Sequence, residues 1–180
     1  MVIVGDNLRA LIRQHKIVAD DINCFDETSI CLRLDNTVIE IQPNDEQAVF
    51  TFGDTLPIEW IKEKVISDGD YLVLPPKATV LACSYEVITI PLGYLGFLQT
   101  KGSLARIFVS IHCCDAQIEP GYSGKITFEI VNLSKLTIRI KPKQKIGDLF
   151  IFKSSTKQVK PYNGRYNKAN KPTYQKPETY

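Results

Sequence analysis

Residues 99–132, QTKGSLARIFVSIHCCDAQIEPGYSGKITFEIVN, hold the pattern from which the fold and the chemistry are both read. In KITFEIV, residues 125–131, a period of two puts Lys125, Thr127, Glu129 and Val131 on one face. Ile126, Phe128 and Ile130 fall on the other. That is a strand with one apolar face, and Glu129 is its odd member. Burying an ionised group is costly unless it has a partner or a task. Lys101, Ser103, Arg106 and Glu119 stand in the same stretch, among strands that otherwise read as buried. Such a concentration points to a site.

Outward from this stretch the alternation continues. Period-two or short apolar runs occur at 29–34, 37–41, 48–52, 70–74, 78–84, 86–90, 95–99, 108–112, 137–140 and 148–153. LPPK, PLGY, EPGYSG and KPKQK punctuate them with turn residues. Short strands with turns between them predict a mainly β, antiparallel sandwich or barrel. Two helices are expected. One is DNLRALIRQH, 6–15, with Asp6 as N-cap. The other is IEWIKEKVI, 58–66, after Pro57, with Trp60, Ile61 and Val65 sharing a core-facing side.

Length predicts one domain with a real core. It spans 1–160, because composition changes after Lys160. PYNGRYNKANKPTYQKPETY, 161–180, has no aliphatic side chain larger than alanine and cannot form a core of its own. This flexible tail is either a solvated terminus or an arm that closes over an anionic or aromatic ligand. A net charge of +2 does not by itself argue for nucleic acid or an anionic membrane, so neither partner is expected. No apolar run is long enough to span a bilayer, and the N-terminus lacks a signal-peptide pattern. The five cysteines, Cys24, Cys31, Cys83, Cys113 and Cys114, are odd in number and irregular in spacing. They read as reduced thiols of a cytoplasmic protein. Cys113 and Cys114 stand beside His112, but no CxxC occurs and a tetrahedral zinc site needs further ligands. The pair reads as small hydrophobes packed on a strand.

The polar groups each admit two roles. Lys101, Gly102 and Ser103 put a cation, a bare backbone and a hydroxyl directly after a strand, a turn that can offer charge and N–H groups to phosphate. It lacks the Walker order and is also an ordinary turn. If SLAR is one helical turn, Arg106 shares a ligand with Ser103; otherwise it is a surface arginine paired with an acid. EPGYSG is a rigid turn that sets Glu119 and Tyr122 at a strand mouth, where the ring stacks on a base or serves as a structural ring. Glu129 suits proton shuttling or an internal ion pair with an arginine.

In order along the chain, TKGSLAR, IEPGYSG, ITFEIVN and KPKQKIGDL resemble the deoxycytidine triphosphate deaminases, whose motifs run GRSSLAR, IDPG, a strand ending in LE, and PG.x.IGQL. SICLRL at 29–34, LPPKATVLACSYEVITIP at 74–91 and the tail PYNGRY resemble further family segments. The resemblance covers nearly the whole chain. It implies a distorted β-barrel or jelly-roll of the deoxyuridine triphosphatase-like type, a homotrimer with active sites between subunits. It also implies hydrolysis of dCTP to dUTP and ammonia without zinc, consistent with the missing H-x-E and PCxxC pattern of the zinc deaminases. On this resemblance Glu129 and Arg106 are catalytic. Lys101, Gly102 and Ser103 hold phosphates, with Mg2+ bridging the triphosphate. Glu119 and the Thr127–Phe128 backbone contact sugar and base, and Tyr162 and Arg165 arrive from the tail. dTTP inhibition occurs in the family.

The chain departs from the pattern at several of these positions. Lys101 replaces an arginine and loses its bidentate fork. Gly102 replaces a serine whose hydroxyl helps organise the reacting centre, Glu119 replaces an aspartate, and Ala169 falls where a glutamine is expected. Three alternatives follow. The first is a bifunctional enzyme that also cleaves dUTP to dUMP and diphosphate, and the second is a pure dUTPase. The third is a non-catalytic nucleotide-binding homologue, for which Gly102 and Ala169 argue.

Overall fold

The computed structural model describes residues 1–18 and 25–177. In chain order the elements are α1 (Gly5–His15), β1 (Ile30–Arg33), β2 (Thr37–Ile41), β3 (Ile61–Val65), β4 (Leu72–Leu74), β5 (Thr79–Thr89) and β6 (Tyr94–Thr100). They continue as α2 (Gly102–Ala105), β7 (Val109–Ser110), β8 (Gln117–Ile118), β9 (Ser123–Asn132), β10 (Ile138–Ile140) and β11 (Lys145–Lys153). One sheet runs β3-β2-β5-β9-β7, a second runs β1-β11-β6-β8, and β10 pairs with β4. All pairings between these strands are antiparallel.

One apolar cluster draws on every sheet, with Phe128 and Ile130 from β9, Leu98 from β6, Leu149 from β11 and Ile138 from β10. The alternation of β9 is realised: Ile126, Phe128 and Ile130 are buried, while Lys125, Thr127 and Glu129 are half-buried on the opposite face. α1 adds Leu8, Leu11 and Ile12 to the core. No helix among the described residues is long and apolar enough to cross a membrane.

The segments 78–84 and 86–90 are one strand, β5, whose register against β9 shifts between Cys83 and Val87. The buried hydroxyl of Ser84 makes that irregularity tolerable. It donates to the Glu86 carbonyl at 2.7 Å and accepts from the Ile126 amide at 2.8 Å. Main-chain groups left over by the shift are thereby satisfied.

Three expectations need correction. The 58–66 helix is only a 3-10 turn at Ile58–Trp60, followed by β3 paired along its whole length with β2. IKEKV also alternates, and a strand satisfies the outer edge of β2 where a helix would leave it open. Trp60 is accordingly half-buried and Val65 is 65% exposed. The 48–52 run forms no strand, with Val49 and Phe52 more than four-fifths exposed. Asp6 is not the N-cap of α1. Val4 is, and Asp6 sits in the first turn, paired with Arg9 at 2.8 Å, where its charge favours the helix start.

Candidate active site

β9 lends Ile126, Thr127, Glu129, Ile130 and Val131 to the lining of a cavity of about 670 Å³. Glu129 Oε2 accepts the Cys114 amide at 2.7 Å and the Asp115 amide at 3.2 Å. The Glu129 main chain is fastened to the same loop, donating to the Ile111 carbonyl at 2.9 Å and accepting from the Cys113 amide at 3.3 Å. The carboxylate is therefore aimed by backbone groups and not by an arginine. Its Oε1 accepts no hydrogen bond among the described residues. That leaves an acceptor for a water or ligand proton on the wall of a cavity.

Glu119 lines the same cavity, half-buried in the turn after β8. Tyr122 is 7% exposed, and its hydroxyl donates to the Lys125 carbonyl at 2.5 Å. Burial raises that phenol well above its ordinary pKa. Tyr122 is thus a structural ring whose face props Tyr162, with ring centroids 5.9 Å apart. Phe128 points its side chain into the core, so only its main chain belongs to the site strand.

The tail forms the roof. The Tyr162 amide donates to the Pro120 carbonyl at 2.8 Å, Asn167 Oδ1 accepts the Ser123 amide at 2.9 Å, and the Lys125 amide donates to the Ala169 carbonyl at 2.7 Å. Thr173 and Thr127 share hydroxyls at 2.9 Å. Glycines make this approach possible. A Cβ on Gly124, whose φ is +152°, would meet the Ala169 amide nitrogen at 2.7 Å. Tyr162, Tyr166, Tyr174 and Gln175 consequently line the cavity. Arg165 does not: its guanidinium donates to the Lys176 carbonyl at the surface.

The Lys101–Arg106 segment lies elsewhere. α2 is the single helical turn that follows β6, with Lys101 half-buried and Gly102, Ser103 and Arg106 exposed. Arg106 donates back to the Gly102 carbonyl at 2.9 Å. None of these four residues lines the cavity that holds Glu129. One chain therefore carries the two halves of the expected acid–arginine pair without bringing them together.

Cys113 and Cys114 are not packed on a strand. β7 ends at Ser110, and both thiols are exposed and line the cavity. A hydrogen bond to Cys113, and then the charges of Cys113 and Glu129, raise the Cys114 thiol above its ordinary pKa. The 113–115 amides and Tyr166, Thr173, Tyr174 and Gln175 also belong to the site, and no local sequence pattern marks them. Main-chain donors leave no residue signature, and the tail's composition suits an arm over a ligand without saying which of its tyrosines reach it.

These features define a class: an antiparallel β protein whose site is an acid-bearing, aromatic-roofed cavity of small-ligand size. A crystal structure of 2′-deoxycytidine 5′-triphosphate deaminase from Agrobacterium tumefaciens shares the fold. Its TM-score is 0.62 at 18% identity, over 83% of this chain and 47% of that one. The dCTP deaminase-like family model matches residues 2–154, and the chain belongs to that family. The dCTP deaminase of Aeromonas salmonicida is 37% identical over 125 residues, 69% of this chain and 62% of its own length. That of Colwellia psychrerythraea is 39% identical over 103 residues, 57% of this chain. The chain thus spans 62% and 52% of the lengths of these two relatives. That of Shewanella loihica is 29% identical over 167 residues, 88% of this chain and 86% of its own.

Proposed function

We propose that this chain is a hydrolase that deaminates dCTP to dUTP and ammonia without zinc. The observation that carries the reading is Glu129, a carboxylate on the wall of a cavity of nucleoside size, with one oxygen held by two amides and the other left without a hydrogen bond among the described residues. That oxygen takes a proton from water as the water oxygen attacks C4 of the cytosine. The proton passes to the exocyclic amine as the C4–N bond breaks, and ammonia leaves. Tyr162 and Tyr166 present ring faces to base or sugar, and the tail excludes water from the reacting centre.

Arg106 is exposed, bonded to its own turn, and does not line the cavity that holds its own chain's acid. We assign it to the cavity of a neighbouring copy in a homotrimer, where its charge stabilises the tetrahedral intermediate. Lys101 and Ser103 travel with it and hold phosphate oxygens. The surface beside α2 supports burial against a second copy. Phe108, Leu133 and Leu136 are 68%, 69% and 59% exposed there. Phe108 is held at a φ of 60°, and its carbonyl accepts the Leu133 amide at 2.8 Å.

Among the described residues the one cluster with metal-ligand geometry is Asp26, Cys31 and Asp148, within 4.8 Å of one another. A buried thiol is a poor ligand for Mg2+. Mg2+ would ride on the triphosphate, where it neutralises phosphate charge. Glu119, on the wall of the same cavity, favours a second reading in which dUTP is also cleaved to dUMP and diphosphate.

Incubation of purified protein with dCTP, dUTP and Mg2+, with chromatographic separation of products, tests both. Appearance of dUTP from dCTP is the expected result, and dUMP would mark the bifunctional form. Binding of dCTP without any product would leave a nucleotide-binding homologue. Glu129→Gln is expected to abolish deamination while dCTP binding persists, and retained turnover would remove Glu129 from the chemistry.

A further inference from the structure

The proposed chemistry uses the 113–115 loop only for its amides and leaves two thiols over. Cys113 and Cys114 are consecutive, exposed and on the cavity wall. Cys31 and Cys83 are buried, and burial raises the Cys83 thiol to about 12, so neither competes. We propose that Cys113–Cys114 is a covalent modification site, a vicinal dithiol that small disulfides oxidise to a ring-closed disulfide, and that closure releases Glu129 from the loop.

The exchange balances without a further reagent. A Cys113 thiolate attacks one sulfur of the small disulfide, whose S–S bond breaks and expels the first small thiolate. Cys114 then gives up its proton and attacks the Cys113 sulfur of the mixed disulfide. The Sγ–Sγ bond forms and the second small thiolate leaves. The protein has lost two protons and two electrons, and the reagent has become two thiols. The raised Cys114 thiol accords with this order, in which Cys113 opens and Cys114 closes.

Closure reaches Glu129 through geometry. Consecutive Cα atoms across a trans peptide are about 3.8 Å apart, whereas disulfides ordinarily need about 4.4 Å or more. The ring therefore cannot form around the peptide as it stands, and that peptide must turn or distort. Its N–H is the Cys114 amide that holds Glu129 Oε2 at 2.7 Å. The same bond change that joins the sulfurs moves the group that aims the carboxylate.

The test treats the full chain with a small aromatic disulfide whose released thiol absorbs visible light. The peptide spanning 113–114 is expected to become lighter by two hydrogens and to keep no reagent. Dithiothreitol should reverse this, and Cys113→Ser should instead retain one adduct at Cys114. Exchange of the Cys114 and Asp115 amides should become faster in the closed form. Two retained adducts on the wild-type peptide would overturn the proposal, and so would a closed ring with unchanged amide exchange. Loss of dCTP turnover on closure, regained with dithiothreitol, is also expected but rests on the deamination reading. A protein inactive before treatment that closes as described would count against that reading alone.

Discussion

Gly102 is the residue where the family pattern and this chain part most sharply, and its surroundings say what a side chain would do. A Cβ there would meet only the Arg106 guanidinium, at 3.0 Å, the far end of a flexible side chain. The same guanidinium donates to the Gly102 carbonyl. Gly102→Ser should therefore fold without a loss of Tm and loosen Arg106 from its own turn. If the glycine is a missing hydroxyl, kcat should rise by up to roughly tenfold, the worth of one hydrogen bond. An unchanged kcat would mean that another group already fills that place. Residue types legible in the sequence, an acid on a strand face and a lysine–glycine–serine turn, stand where they were expected. The exposure of Cys113 and Cys114 was not legible, because an apolar-looking run ends wherever its pairing partner ends.

At the scale of elements, the tail and β9 act as one unit. The tail lies on main chain that glycine leaves bare, and its bonds to Ser123, Lys125 and Thr127 replace pairing that β9 lacks there. Gly124→Ala drives a methyl into the Ala169 backbone. Two main-chain bonds, Lys125 to Ala169 and Lys168 to Ser123, are then lost. At about 1 kcal/mol each, tail docking should weaken by a factor on the order of thirty. Limited proteolysis should cut near residue 160 in the variant and spare the parent, and dCTP affinity should fall with it. Equal protease resistance would show that the tail is held by other contacts. The tail's composition announced that it has no core. It did not announce this seat, which depends on a turn and a strand forty residues upstream.

At the scale of the molecule, the separation of Arg106 from Glu129 decides how the chain must work. If a site takes Glu129 from one copy and Arg106 from the next, Arg106→Ala and Glu129→Gln are each inactive alone. Co-assembled in equal amounts they should recover roughly a quarter of wild-type turnover, the chance that adjacent chains supply both intact groups. No recovery from verified mixed trimers would confine the chemistry to one chain. By itself the sequence determined the facing of β9, the succession of short strands and the ordered motifs of the family, because alternation and turn residues act locally. The tertiary structure alone decided that IKEKV pairs as a strand, that the thiols face the cavity and that the tail roofs it. It alone set the arginine apart from the acid. Each of those depends on which backbone edge remains unpaired and which distant segment reaches it, and no local pattern encodes that.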